Sequence, residues 1–314
     1  MQHPKNRSYD LPGTLPYSFG LLTPERRPPV PDPHMQGIEV TDPSLAALCG
    51  LGNIDPQHTC DGSGKVLSAI EACCHTPLPP NGSRLVTIRP DLDALGAMAI
   101  LTLRAFGWAV SSATADRIAM IARVDRYDRG PWPGPRPLPR SGAELINSWP
   151  GPELAQLGAC MRDATLTVEQ RVRNAIRWLK SGVAPPDFHD RIVSEHARLI
   201  RSLTLGTSVI ETALGGQAAV VKSIYPGALD LGYRRAKIVV AINPAFVFNE
   251  KTIGRKYTIA RWSEDSVDLD RVATRLAKME FGWGGQPGIK GSPQFRPSSL
   301  SLHQVLCVLR QSVE

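Results

Sequence analysis

Asp91 and Asp93 stand one residue apart in Arg89-Pro90-Asp91-Leu92-Asp93-Ala94-Leu95-Gly96-Ala97, directly after the apolar run 85–88. Two carboxylates in one turn can offer oxygens to a single hard cation, and Mg²⁺ and Mn²⁺ take such ligands. The simpler use is a helix N-cap, for which Asp is favoured. One Asp suffices for a cap, so the second needs another reason. Asp55 and His58 lie three apart in 51–59. They put a carboxylate and an imidazole in one loop, although its Gly, Asn, Asp and Pro also suit an ordinary turn. Asp125 and Asp128, interleaved with Arg126 and Arg129 before Gly130, pair metal oxygens with guanidinium groups for phosphate. The plain alternative there is an exposed helix end with weak internal ion pairs. Cys73-Cys74-His75 is a soft-metal corner without a second ligand pair, so reduced thiols explain it better.

A second kind of chemistry sits near the end of the chain. The stretch 281–293 holds five glycines, among them Gly284 and Gly285, followed by Lys290 and Ser292. Glycine lets the backbone approach a ligand and turn its amides toward an anion. Lys256 and Arg261 would add donors. The Gly-Lys-Ser/Thr order of a phosphate loop is absent. A plain long turn is the alternative.

The elements that must position these groups follow from pattern. The run 85–88 reads as a buried strand stopped by Pro90, and 94–106 as a helix. Asp91 and Asp93 therefore fall at the carboxyl end of a strand, where open α/β sheets bind ligands. Residues 1–35 hold eight prolines and no period, and read as an extended arm. Further helices are predicted over 42–48, 64–75, 116–124 and most of 152–203, with a second strand at 108–112. The prolines of 130–142 make a stiff loop. After Gly206 the pattern changes to strands at 217–223, 236–242 and 257–261 and helices at 267–279 and 300–309. A boundary near 205 divides the arm-bearing first domain, 36–205, from a second, 206–314.

At 42% hydrophobic and 21% charged residues, the 314-residue chain is an ordinary globular protein with room for two domains. It has no apolar run near the ~20 residues a membrane span needs and no apolar signal core at its start, so a cytoplasmic location is expected. The net charge of +7 favours polyanionic partners. The residues are compatible with a homodimer and do not fix the oligomeric state.

Two distant pieces resemble one family. The segment 88–97 resembles the first motif of the DHH phosphoesterases, which include RecJ-type nucleases and nanoRNases. The segments 257–262, 267–269 and 284–291 resemble their associated substrate domain. The resemblance covers roughly half the chain. It implies an α/β fold of two domains, a parallel-sheet N-terminal domain and a smaller mixed α/β C-terminal domain, with a cleft between. It implies Mn²⁺ or Mg²⁺ held by Asp91 and Asp93. Asp55, His58, Asp125 and Asp128 are candidates for the remaining ligands. Arg129, Arg261, Gly284, Gly285 and Lys290 are the candidate substrate contacts, and a nucleotide or short oligonucleotide the candidate phosphate ester. Two departures stand out: no Asp-His-His follows the first motif, and Gln286 replaces the family's loop His. The expected activity is metal-dependent phosphodiester hydrolysis, with Asp91, Asp93, Asp125 and His58 at its centre. The rivals are a degenerate nucleotide-binding protein of the same fold and a different metal-dependent hydrolase or transferase.

Overall fold

The computed structural model describes residues 13–56, 67–129, 143–144, 151–185, 188–225, 227–249, 252–262, 266–285 and 288–313, with backbone only at 125–129 and 249. The chain forms two compact units, residues 1–125 with 150–189, and 126–149 with 190–314. Among the described residues no helix is long and apolar enough to cross a membrane.

The first unit is built on a parallel sheet. Its strands are β1 (Ser18–Leu21), β2 (Met35–Ile38), β3 (Asn53–Ile54) and β4 (Arg84–Thr87), in the order β1-β4-β2-β3. All described pairings are parallel, so every strand ends at one edge. Leu85, Val86 and Thr87 are fully buried, as the continuous apolar run requires. The unit's helices are α1 (Pro43–Ala46), α2 (Ala69–Cys73), α3 (Leu92–Ala105), α4 (Ser112–Arg129, to Asp125), α5 (Pro152–Met161) and α6 (Val168–Ser181), and α7 (His189–Thr204) belongs from Asp190 to the second unit. Every residue of α3 from Asp93 to Leu103 is buried. Its Gly96 admits α2: a Cβ there would lie 2.8 Å from Ile70 Cδ1.

Two expectations fail here. The proline-rich start is not all arm, because β1 lies within it and Tyr17 is buried with its hydroxyl on the Pro79 carbonyl. A four-residue edge strand after Pro16 is too short to show a period. The expected strand at 108–112 is a link instead. Gly107, at φ +70°, turns the chain, and Val110 is exposed and pairs with no strand among the described residues.

The second unit holds a mixed sheet, in the order β5 (Val209–Ala213), β6 (Ala218–Lys222), β7 (Ile238–Asn249), β8 (Thr252–Arg261), β9 (Ile289–Gly291). Only β6 and β7 run parallel among these pairs. Val220, Val240 and Ile259 face a core shared with α9 (Leu269–Met279) and α10 (Leu302–Val313). Val221 and Val239, on the other face, meet Leu199 of α7 and Leu231 of α8 (Ala228–Tyr233).

Candidate functional site

Asp91 is the N-cap of α3. Its Oδ1 accepts from the Ala94 amide at 3.0 Å, and Arg89 Nε lies 3.7 Å from Oδ2. Its side chain is 37% exposed. Asp93 sits two residues on, inside the first turn, and only 1% of it is exposed. Its two oxygens accept from the Ala69 and Ile70 amides at 2.7 and 2.9 Å. Those amides open α2. The Glu71 carboxylate accepts from the Ser68 amide, and Ser68 Oγ accepts from the Glu71 amide. The amides that a helix start leaves without partners are thus covered, from Ser68 to Glu71. The second carboxylate of the pair does have a reason that the first does not: each Asp caps a different helix.

The other strands bring two more acids to the same edge. Ile38 and Ile54 are register partners in neighbouring parallel strands, so Glu39 and Asp55, one residue on, stand level with each other. Both are buried. The Glu39 amide donates to the Ile54 carbonyl at 3.0 Å. Glu39 has φ +51°, a conformation rare for a side chain of its size and found disproportionately at functional sites. Sequence reading missed it. A lone Glu after a short strand carries no signal, and the backbone angle is its only mark. Close by, burial first and the Asp93 charge second push the Cys73 thiol well above its ordinary value. Cys73 is buried and free of any disulfide, in keeping with the reduced-thiol reading.

Among the described residues, no group of three His, Cys, Asp or Glu could hold a metal ion. Asp91 and Asp93 are engaged with backbone amides, and the donors on these residues do not by themselves fit Mn²⁺ or Mg²⁺. His58 lies outside the described residues. Asp125, Asp128 and Arg129 fall on the last turn of α4, where only the backbone is described.

The glycine loop of the second unit is closed on itself. Gly284 and Gly291 exchange backbone hydrogen bonds of 3.1 and 2.7 Å. Gly285 has φ +133°, and a Cβ there would lie 2.6 Å from the Ile289 carbonyl oxygen, so only glycine fits. Lys290 is buried and gives its ammonium to the Gly285 carbonyl and to Asp270. Sequence reading assigned that cation to an anionic ligand, but a carboxylate of α9 holds it. Lys256 donates to the Ser292 and Pro293 carbonyls, and Arg261 to the Val267 carbonyl. Gln286 lies outside the described residues. Beside the loop runs an open groove of about 480 Å³, lined by Asp270, Thr274, Lys278, Trp283, Gly284 and Lys290 among others. Its lining offers the Lys290–Asp270 pair and, outside that pair, the Lys278 ammonium.

Glu280 secures this region. Its oxygens accept from Trp283 Nε1 at 2.8 Å, Ser298 Oγ at 2.6 Å, the Ser299 amide at 2.7 Å and Ser299 Oγ at 2.9 Å. Burial alone would raise this carboxyl, but the hydrogen bonds outweigh it and hold it below its ordinary value. Trp283 in turn stacks on Tyr257 with centroids 5.9 Å apart.

No protein-family model matches the chain. No curated protein matches it either. Among solved structures it is similar to the pGpG-specific phosphodiesterase PggH from Vibrio cholrae, at 10% identity and a TM-score of 0.38. The match covers 84% of this chain and 93% of that one. At that TM-score the likeness carries no weight for activity.

Proposed function

We propose that the chain hydrolyses a phosphodiester of a nucleotide or short oligonucleotide at the carboxyl edge of its parallel sheet. The observation that carries the reading is that Glu39, Asp55, Asp91 and Asp93 all follow the carboxyl ends of strands of one parallel sheet, where ligands of open α/β folds bind. The resemblance of 88–97 to a phosphoesterase motif supports it. In this reading Asp91 faces the reacting phosphate, because its Oδ2 lies outside the cap and its side chain is partly open to solvent. Arg89 is the neighbouring cation that balances phosphoryl charge. Asp93 is a positioning residue that locks α2 against the start of α3.

The test is hydrolysis of bis(p-nitrophenyl) phosphate and of a short oligonucleotide, with EDTA and with added Mn²⁺ or Mg²⁺. Turnover in any of these conditions supports the reading, and none in all of them overturns it. A second reading, a nucleotide-binding protein without turnover, is favoured by the capping duty of Asp91 and Asp93 and by the Lys290–Asp270 pair. It predicts nucleotide affinity that survives EDTA and no product.

A further inference from the structure

The β7–β8 hairpin outruns the sheet that carries it. The ladder with β6 ends at Ile242 opposite Lys222, and β9 pairs only with 258–260. From Asn243 to Tyr257 the two strands therefore have only each other as ladder partners among the described strands. Apolar side chains crowd this ribbon in the open: Phe246 is 37% exposed, Val247 61% and Ile253 63%. Register breaks after Asn243 and after Val247 re-aim the side chains between them. Phe246 and Phe248 meet edge to face with centroids 4.9 Å apart. The Lys256 ammonium lies 5.9 and 5.8 Å from the two ring centroids. Pro297 seats on Gly254, where a Cβ would come within 2.6 Å of it. Within 237–262 the one acid of the sequence is Glu250, next to Lys251, against five cations, Lys237, Lys251, Arg255, Lys256 and Arg261.

Exposed aromatic faces on a ribbon with five cations to one acid match the chemistry of single-stranded nucleic acid. Bases stack on the rings whatever their identity, and the cations track the phosphates. We infer that the β7–β8 ribbon is a stacking platform for single-stranded oligonucleotide, with Phe246 as its principal ring. The platform lies wholly in the second unit and needs no hydrolysis. The inference goes beyond the proposed activity and stands or falls separately from it.

Anisotropy of a fluorescein-labelled oligo(dT) of about 12 nucleotides, a length within the span such platforms cover, tests this with the full chain in EDTA. Expected are binding by the wild type that weakens with salt, a loss of about tenfold or more in Phe246→Ala, and retained binding in Phe246→Trp. If Phe246→Ala alters the thermal melt, Phe246→Leu keeps the apolar bulk and removes the ring, and the same loss is expected. Val247→Ser with Ile253→Ser should bind as the wild type does. Absence of oligonucleotide binding overturns the inference, as does wild-type affinity in a folded Phe246 variant. Binding lost only in the Val247/Ile253 variant would mean that aliphatic side chains, not a stacking ring, hold the oligonucleotide, and overturns it equally. Intact binding without turnover leaves it standing while the phosphodiesterase reading fails.

Discussion

Replacing Asp93 separates a structural carboxylate from one that awaits a cation. Both oxygens of Asp93 accept from the first amides of α2, and Asp93, Ala69 and Ile70 are all buried. Hydrogen bonds to a charged group contribute about 1.5–3 kcal/mol each. Asp93→Ala removes both acceptors and leaves two buried amides without partners, for a loss of about 3–5 kcal/mol. Asp93→Asn keeps one acceptor and turns an NH₂ toward the other amide, for a loss of about 2 kcal/mol. In a domain of this size that lowers the melting temperature by about 4–8 °C. Urea unfolding and thermal melts, both in EDTA, measure it. A carboxylate held among other acids only to bind a cation gives the opposite sign, because its removal relieves repulsion when no ion is present. If Asp93→Asn proves as stable as the wild type in EDTA, or more stable, the capping account is wrong.

Three further outcomes follow from the second unit. Glu280→Gln turns an NH₂ toward donors that the carboxylate now satisfies, and should cost about 2 kcal/mol of stability by urea unfolding. Because the folded Glu280 carboxyl lies below its ordinary value of 4.5, the stability it contributes is fully present above that value. That share is lost as pH falls toward the lower folded value, so the wild type should lose more stability between pH 6 and pH 3 than Glu280→Gln does. Gly285→Ala places a Cβ against the Ile289 carbonyl in a backbone region that side chains avoid, and should cost about 1–3 kcal/mol by the same measurement. Lys290→Met breaks the pair with Asp270 and frees the Gly285 carbonyl. It should loosen the loop, seen as faster amide exchange at Gly284 and Gly291.

The central strand and helix were legible because their signals are local. A buried apolar run, Pro90 and an Asp before an Ala-rich helix lie within one short window, and β4 and α3 follow it closely. The switch to strands after Gly206 was equally plain, since β6, β7 and β8 are rich in β-branched residues. The edge strands β1, β3, β5 and β9 were not legible. Each has five residues or fewer and owes its strand state to the neighbour it pairs with. The site failed to show for a related reason. Asp93 bonds amides 23 and 24 residues back in sequence, and Lys290 finds Asp270 twenty residues away. Residue type announced an acid pair and a basic glycine loop. Only the fold decides that a helix start takes one acid and an acid takes the lysine. Glu39 needed its backbone angle to be noticed at all.

Asp91→Asn bears most directly on the proposed activity. Asn caps a helix about as well as Asp, so the variant keeps the bond to the Ala94 amide and removes only the charge. Hydrolysis of a short oligonucleotide by the wild type and by this variant should be followed with Mn²⁺ present, alongside a melt that certifies the fold. The account predicts turnover by the wild type and a fall of at least a hundredfold in a variant that melts as the wild type does. Equal turnover in the two proteins, or none in either, contradicts it.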